Sequence, residues 1–258
     1  MRRLAISAVL ALAALIAATA AQGELSQKGN LRVSFDSQVA PRVLPRDRAA
    51  PISVSLDGKV GTVDGTAPPA LSEISVAVNR AGLVFVKGLP RCRAAELQQT
   101  DTEAALAVCR GALVGHGSFA AHVDFPGELQ IPAHGTVLAF NSGSPKHPEM
   151  VLHLYGSNPV RATFVLPFKI SHRNQGKFGN VFSTRIPKIA SNLGYVTDLN
   201  LTLGRKYRYA GKRRSFLSAS CAAPAGFPGA IFELAKATFT FSDNRQLTTG
   251  VSRDCKVR

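Results

Sequence analysis

Apolar side chains recur at every second position in many short segments of this 258-residue chain. The pattern is clearest in LRVSF at residues 31–35, ISVSL at residues 52–56 and ISVAV at residues 74–78. A period of two places alternate side chains on opposite faces of a strand, so each segment predicts a half-buried β-strand. Further strands are predicted at residues 83–86, 113–125, 136–140, 150–155, 162–170, 181–186, 195–209, 216–220 and 237–241.

Turn-forming residues separate these segments, for example Asp57 and Gly58. Many short strands joined by turns predict an all-β fold, mainly an antiparallel sandwich or a barrel-like sheet. One helix is predicted within TDTEAALAVCRG, residues 100–111. Thr100 would cap this helix, Glu103 would reach back to the cap, and Gly111 would end it.

The four cysteines are even in number, which favours disulfides in an oxidising compartment. Of the three possible pairings, sequence proximity favours Cys92 with Cys109 and Cys221 with Cys255. The first bridge would staple the predicted helix to the sheet. A zinc site is the alternative, but it needs closely spaced pairs such as C-x-x-C, which this sequence lacks. We expect neither a metal nor a cofactor.

The first residues have the pattern of a signal peptide, because a short basic region precedes an apolar run and small residues follow it. We predict a leader over residues 1–22, with an uncleaved anchor helix as the alternative. Residues 23–258 would then form a single β-rich secreted domain, located outside the cell or in its envelope. The loop NSGSPKHPE at residues 141–149 is the strongest candidate for a subdivision.

The chain carries 31 Lys and Arg against 16 Asp and Glu, a formal net charge of +15. Such an excess favours anionic partners. For an exported protein these are an anionic cell-wall polymer or an acidic glycan, and nucleic acid is not expected. The richest basic segment is GRKYRYAGKRR, a predicted hairpin tip whose candidate anion-binding residues are Arg205, Lys206, Arg208, Lys212, Arg213 and Arg214. The alternative is that these side chains only solvate the turn.

The segment GHGSFAAHVDF, residues 115–125, gathers the residue types of a catalytic triad. On a strand, however, Ser118 and His122 would be separated by roughly 13 Å, whereas a nucleophile and its base need about 3 Å. Phe119, Val123 and the other odd positions would face the core. The polar even positions would face away from it. We therefore predict no enzyme, and the remaining alternative is a hydrolase site assembled from residues distant in sequence.

Four blocks of the chain resemble a group of uncharacterised secreted proteins of actinobacteria. They are GLPRC at residues 88–92, CRGALVGHGSF at 109–119, LGRKYRYAGKRRSFLSASC at 203–221 and GFPGAIFELAKATFTFSD at 226–243. The resemblance implies an exported protein and assigns no activity or site. Together with the residues, it favours a non-catalytic secreted or envelope protein that binds anionic wall polymers through a basic surface. A secreted hydrolase remains the alternative.

Overall fold

The computed structural model describes residues 24–123, 130–187 and 194–258. The predicted leader, residues 1–22, lies outside them. Eighteen strands are present: β1 (Glu24–Lys28), β2 (Leu31–Ala40), β3 (Val43–Leu44), β4 (Ala50–Pro51), β5 (Ser53–Thr62), β6 (Leu71–Asn79), β7 (Gly82–Val84), β8 (Leu113–Val123), β9 (Ile131–Asn141), β10 (Glu149–Gly156), β11 (Ala162–His172), β12 (Phe178–Arg185), β13 (Gly194–Leu203), β14 (Lys206–Tyr209), β15 (Lys212–Ser215), β16 (Leu217–Ala219), β17 (Gly229–Phe241) and β18 (Gln246–Val257). The α-helix α1 (Thr102–Cys109) lies between short 3-10 turns at Ala94–Leu97 and Arg110–Ala112. Within the described ranges, none of the helices has the length and apolar character needed to cross a membrane.

Thirteen strands form one sheet in the order β1-β2-β5-β13-β8-β9-β10-β11-β12-β6-β17-β18-β3. Its ladders are antiparallel except for the short pairing of β18 with β3. The all-β prediction is therefore confirmed. The loop at residues 142–148 joins β9 to β10, which are neighbours in this sheet.

The sheet curls until its first strands meet its last long strands along a line that we call the seam. Thr249 Oγ1 on β18 donates to the Glu24 carbonyl on β1 at 2.7 Å, and the Gly250 amide donates to the Glu24 carboxylate at 3.1 Å. Behind these contacts, apolar side chains of β2 pack with those of β17 and β18. The carboxylate of Asp36 on β2 also pairs with the guanidinium of Arg253 on β18.

One end of the curled sheet, where β8 begins and β9 ends, is closed by short segments. We call it the capped end. A three-stranded sheet in the order β4-β16-β7 lies there, and the separate hairpin β14-β15 follows directly after β13. Phe216 and Leu217 are buried with interior residues such as Val114. The Cys221–Cys255 disulfide, with a Cα–Cα distance of 5.7 Å, ties this cap to β18.

Helix α1 packs on the outer face of the sheet, where its cluster includes Leu138, Phe140 and Val151 of β9 and β10. The Cys92–Cys109 disulfide forms as predicted and staples the end of the helix. The predicted cap is wrong by one residue, because the Asp101 carboxylate accepts from the Ala104 amide at 2.8 Å. The Thr100 hydroxyl instead donates to the Leu97 carbonyl.

The predicted strands are found, but one of them is divided. The segment predicted at residues 195–209 ends as β13 at Leu203 and resumes as β14 at Lys206. Arg205 interrupts it, since its carbonyl accepts from the Phe216 amide at 2.8 Å and turns the chain into the hairpin. The sequence pattern missed β1, β3, β4, β15 and the twelve-residue β18.

Candidate ligand cavity inside the curled sheet

The curled sheet encloses a cavity of about 340 Å³ between its inner faces. Side chains from opposite walls line it, among them Leu56, Phe119, Leu154, Phe164 and Phe239. The volume lies at the lower end of the range of roughly 300–1,000 Å³ that is typical of small-molecule sites. Folded proteins are otherwise packed with few voids larger than a water molecule, so a space of this size is unusual for a simple core.

The lining is almost entirely apolar. The residues that line the cavity in the described part of the chain include no Asp, Glu, Lys or Arg. The side-chain amides of Asn79 and Asn180 are already engaged, because Asn79 Nδ2 donates to the Glu233 carbonyl at 2.8 Å and Asn180 Nδ2 donates to the Gly82 carbonyl at 3.1 Å. The cavity is therefore suited to a neutral, apolar ligand.

Small residues lie on the inward faces of several strands. On the inward faces of β8 and β9 lie Gly115, Gly117, Ala121, Ala133 and Gly135. A Cβ at Gly135 would meet the ring of Phe119 at 2.6 Å, so the glycine lets that ring lie against β9. Two strands away from β8 in the sheet, a Cβ at Gly58 of β5 would meet no heavy atom of the described residues within 4 Å. Gly58, Ala121 and Ala133 line the cavity, whereas Gly115, Gly117 and Gly135 do not. A glycine or alanine at an inward strand position is a sequence signal that could have indicated the cavity.

Two partly exposed residues line the cavity at the end opposite the cap, which we call the open end. Val160 and Val196 line the cavity, yet they keep 48% and 39% of their surface exposed. Near them, β11 pairs with β12 through Lys169–His172 in the part of the chain that the structure describes. Within the described residues, the other half of β11 pairs with β10 alone.

The segment GHGSFAAHVDF forms β8 up to Val123, and its last two residues lie outside the described ranges. Phe119, Ala121 and Val123 line the cavity, in agreement with the predicted inward parity. His122, which was predicted to face away, also lines it. His122 Nδ1 lies 2.9 Å from the hydroxyl of Tyr195, which donates to Gln130 Oε1 at 3.0 Å. Ser118 is exposed and stands opposite Asn200 and Thr136 in the two ladders.

The histidines that sequence analysis treated as isolated occupy separate places. His153 is fully buried beneath the loop before α1, and its Nε2 donates to the Thr100 carbonyl at 2.9 Å. His172 Nδ1 lies 3.4 Å from Asn180 Oδ1. His134 and His147 are at outer positions of β9 and of the loop after it. His122, His153 and His172 thus contact a tyrosine, a threonine and an asparagine.

The basic segment forms the predicted hairpin, β14-β15, at the capped end. Arg205 has a structural role, because its Nη1 donates to the Leu113 carbonyl at 2.7 Å and to the Arg110 carbonyl at 3.1 Å. The other five predicted anion-binding side chains are exposed: Lys206, Arg208, Lys212, Arg213 and Arg214. The hairpin lies apart from the open end of the cavity.

The two faces of the hairpin differ. Tyr207 donates from its hydroxyl to the Phe85 and Lys87 carbonyls at 3.1 and 3.0 Å, and the Arg214 guanidinium stacks 5.0 Å from the Phe85 ring. This face is docked on the cap. On the other face Arg208 stands directly opposite Arg213, and within the described residues neither forms an ion pair. Like charges in this position destabilise a ladder unless an anion lies between them.

The cysteines offer no thiolate for a metal, because all four are joined in disulfides. Glu96 lies beside the Cys92–Cys109 bridge, but its carboxylate accepts from the Arg93 amide at 2.6 Å. That hydrogen bond lowers the pKa of Glu96 and keeps it ionised.

Comparisons of the chain with protein-family models, with curated proteins and with solved structures found no match.

Proposed function

We propose that this protein is a non-catalytic binding protein that holds an apolar ligand, such as the hydrocarbon chain of a lipid, inside its curled sheet. The observation that carries the proposal is the cavity of about 340 Å³, whose lining contains no Asp, Glu, Lys or Arg among the described residues. A lipid chain matches this lining because it buries apolar surface without requiring polar partners.

The size of the cavity supports a bound ligand on energetic grounds. Apolar walls that face a space of about 340 Å³ lack van der Waals partners there, which costs free energy. A ligand that restores van der Waals contact with the walls would recover much of this free energy.

We also propose that the protein acts outside the cytoplasm, in the cell envelope or beyond it. All four cysteines are joined in two disulfides, and such bridges persist in oxidising compartments. A non-catalytic role is supported by the histidine contacts, since His122 and His153 are held by Tyr195 and Thr100.

A second binding function is supported by the basic hairpin. Arg208 and Arg213 face each other on its exposed face without an acidic partner in the described residues. An anionic wall polymer or acidic glycan would relieve their mutual repulsion. Because the hairpin lies at the capped end, such a partner would leave the open end of the cavity accessible.

The substitution Gly58→Phe tests the cavity proposal. Gly58 lines the cavity, and a side chain added there enters open space. We expect wild-type protein to bind the neutral apolar dye N-phenyl-1-naphthylamine with enhanced fluorescence. The phenyl ring should weaken this binding by about tenfold or more, which corresponds to about 1.4 kcal/mol.

The matched control is Gly61→Phe on the same strand. Gly61 also has no heavy atom within 4 Å of its ideal Cβ, but it does not line the cavity. Dye affinity should stay within about twofold of the wild-type value, which is less than 0.5 kcal/mol. Equal losses in the two variants, or no dye binding by folded wild-type protein, would contradict a ligand cavity.

A further inference from the structure

One hydroxyl group is anomalous in the apolar wall of the cavity. Ser37 lies on the inward face of β2 between Phe35 and Val39, and all three line the cavity. Only 1% of its surface is exposed, and its Oγ has no hydrogen-bond partner among the described residues. A buried hydroxyl without a partner costs about 1–3 kcal/mol, which an alanine at this position would avoid.

The backbone around Ser37 is firmly positioned. The Ser37 amide donates to Asp36 Oδ1 at 2.6 Å, and the same carboxylate pairs with Arg253 across the seam. In the ladder with β5, Ser37 stands opposite Leu56, which also lines the cavity. The Ser37 hydroxyl therefore has a fixed position along β2 in the cavity wall.

The other buried polar group of the lining already has a partner. Asn180 donates to the Gly82 carbonyl. Ser37 is thus the buried lining side chain whose donor remains available, among the residues that the structure describes.

We propose that the ligand is an oxygenated lipid chain, and that Ser37 Oγ donates a hydrogen bond to a neutral oxygen along that chain. This inference rests on the proposed cavity function. The oxygen belongs to a ketone, an ester or a hydroxyl group. A carboxylate or phosphate at this depth would be an unpaired buried charge, since no Lys or Arg lines the cavity within the described ranges. A charged head group would therefore stay at the open end.

The experiment compares chains of equal length that differ only in the oxygen. Tetradecane and tetradecanones with the carbonyl at carbon 2, 4 or 7 displace N-phenyl-1-naphthylamine from wild-type protein and from Ser37→Ala. At least one ketone should bind the wild-type protein about two- to tenfold more tightly than it binds Ser37→Ala, the range expected for one neutral hydrogen bond. Tetradecane should bind both proteins equally.

The control is Ser34→Ala, the same change on the outward face of β2. It should leave every affinity unchanged. Thermal unfolding shows that each variant is folded, and Ser37→Ala should melt no lower than the wild-type protein. If Ser37→Ala binds all the ketones as tightly as the wild-type protein does, the hydrogen bond is wrong while the cavity stands. If folded wild-type protein binds neither dye nor chain, the cavity function itself fails.

Discussion

At the scale of single residues, His153 shows how a titratable group becomes part of the core. The ring lies on the outer face of β10, fully buried beneath the loop that leads into α1. Its Nε2 donates to the Thr100 carbonyl, whereas its Nδ1 has no hydrogen-bond partner in the part of the chain that the structure describes. Burial disfavours the charged imidazolium and lowers the pKa of His153. The residue thus ties the helical segment to the sheet in its neutral form.

This environment predicts a loss of stability in mild acid. The unfolded chain takes up a proton at His153 below its ordinary pKa of 6.5, whereas the folded protein resists it. The stabilisation is therefore complete above pH 6.5 and is lost as the pH falls toward the lower folded pKa. Each pH unit in that window removes at most about 1.4 kcal/mol of unfolding free energy.

Urea unfolding between pH 7.5 and pH 5 measures this dependence. His153→Gln should be less stable than the wild-type protein at pH 7.5, but its stability should fall less steeply with acid. His116→Gln changes an exposed residue of β8. In this variant the unfolding free energy should fall with pH as steeply as it does in the wild-type protein. If the unfolding free energy of His153→Gln falls with pH as steeply as that of the wild-type protein, other groups cause the acid sensitivity.

At the scale of elements, the alternation of apolar and polar residues predicted strands correctly where the two faces of a strand differ strongly. Strands β2 and β6 were found in this way. Strand β18 was missed because Thr249 and Arg253 occupy inward positions along with Leu247 and Val251, so its alternation is weak. Its burial depends on contacts across the seam that sequence spacing does not reveal. The cap of α1 was misplaced because Thr100 and Asp101 both suit that position.

The hairpin β14-β15 can be tested as a separate element. Replacing Arg208 and Arg213 with serine removes the exposed facing pair and leaves the docked face with Tyr207 intact. On immobilised polygalacturonate, this variant should elute at clearly lower salt than the wild-type protein, because fewer counterions are displaced on binding.

The matched control removes the same amount of charge elsewhere. Arg161 and Arg173 are exposed and lie outside the hairpin, so their replacement with serine should lower the elution salt much less. Equal shifts in the two double variants would show that net charge alone causes retention and would remove the hairpin proposal.

At the scale of the whole molecule, the sequence predicted a buried inner face but not what that face encloses. Alternation shows which side chains point inward. It does not show whether the inward side chains of facing strands touch one another, which depends on how far the sheet curls and on small lining residues such as Gly58 and Ala133. The two disulfides and the basic hairpin were predictable because each depends on residues close together in sequence. The cavity is lined by residues from β2 to β17, which are far apart in sequence. The alternating pattern therefore did not reveal it.

Closure of the curled sheet depends on side chains at the seam. The Asp36 and Arg253 side chains keep only 25% and 13% of their surface exposed. Asp36→Ala leaves a mostly buried guanidinium without its partner and should lower the unfolding free energy by about 2–3 kcal/mol. Amide hydrogens of β1, β2 and β18 should also exchange faster.

A neighbouring ion pair provides the control for this prediction. Arg42 and Asp254 lie 3.5 Å apart, and both side chains are largely exposed. Asp254→Ala should therefore cost less than about 1 kcal/mol. If both aspartate variants lose the same small amount of stability, the Asp36–Arg253 pair does not hold the seam.

The cavity makes folding and ligand uptake a single coupled equilibrium. A ligand at a hundredfold excess over its dissociation constant adds about 2.7 kcal/mol to the apparent stability of the fold that binds it. Chains that keep their ligand and chains that have lost it would then unfold at different temperatures. A sample containing both would melt over a broad interval, and removal of the ligand would sharpen the transition and move it downward.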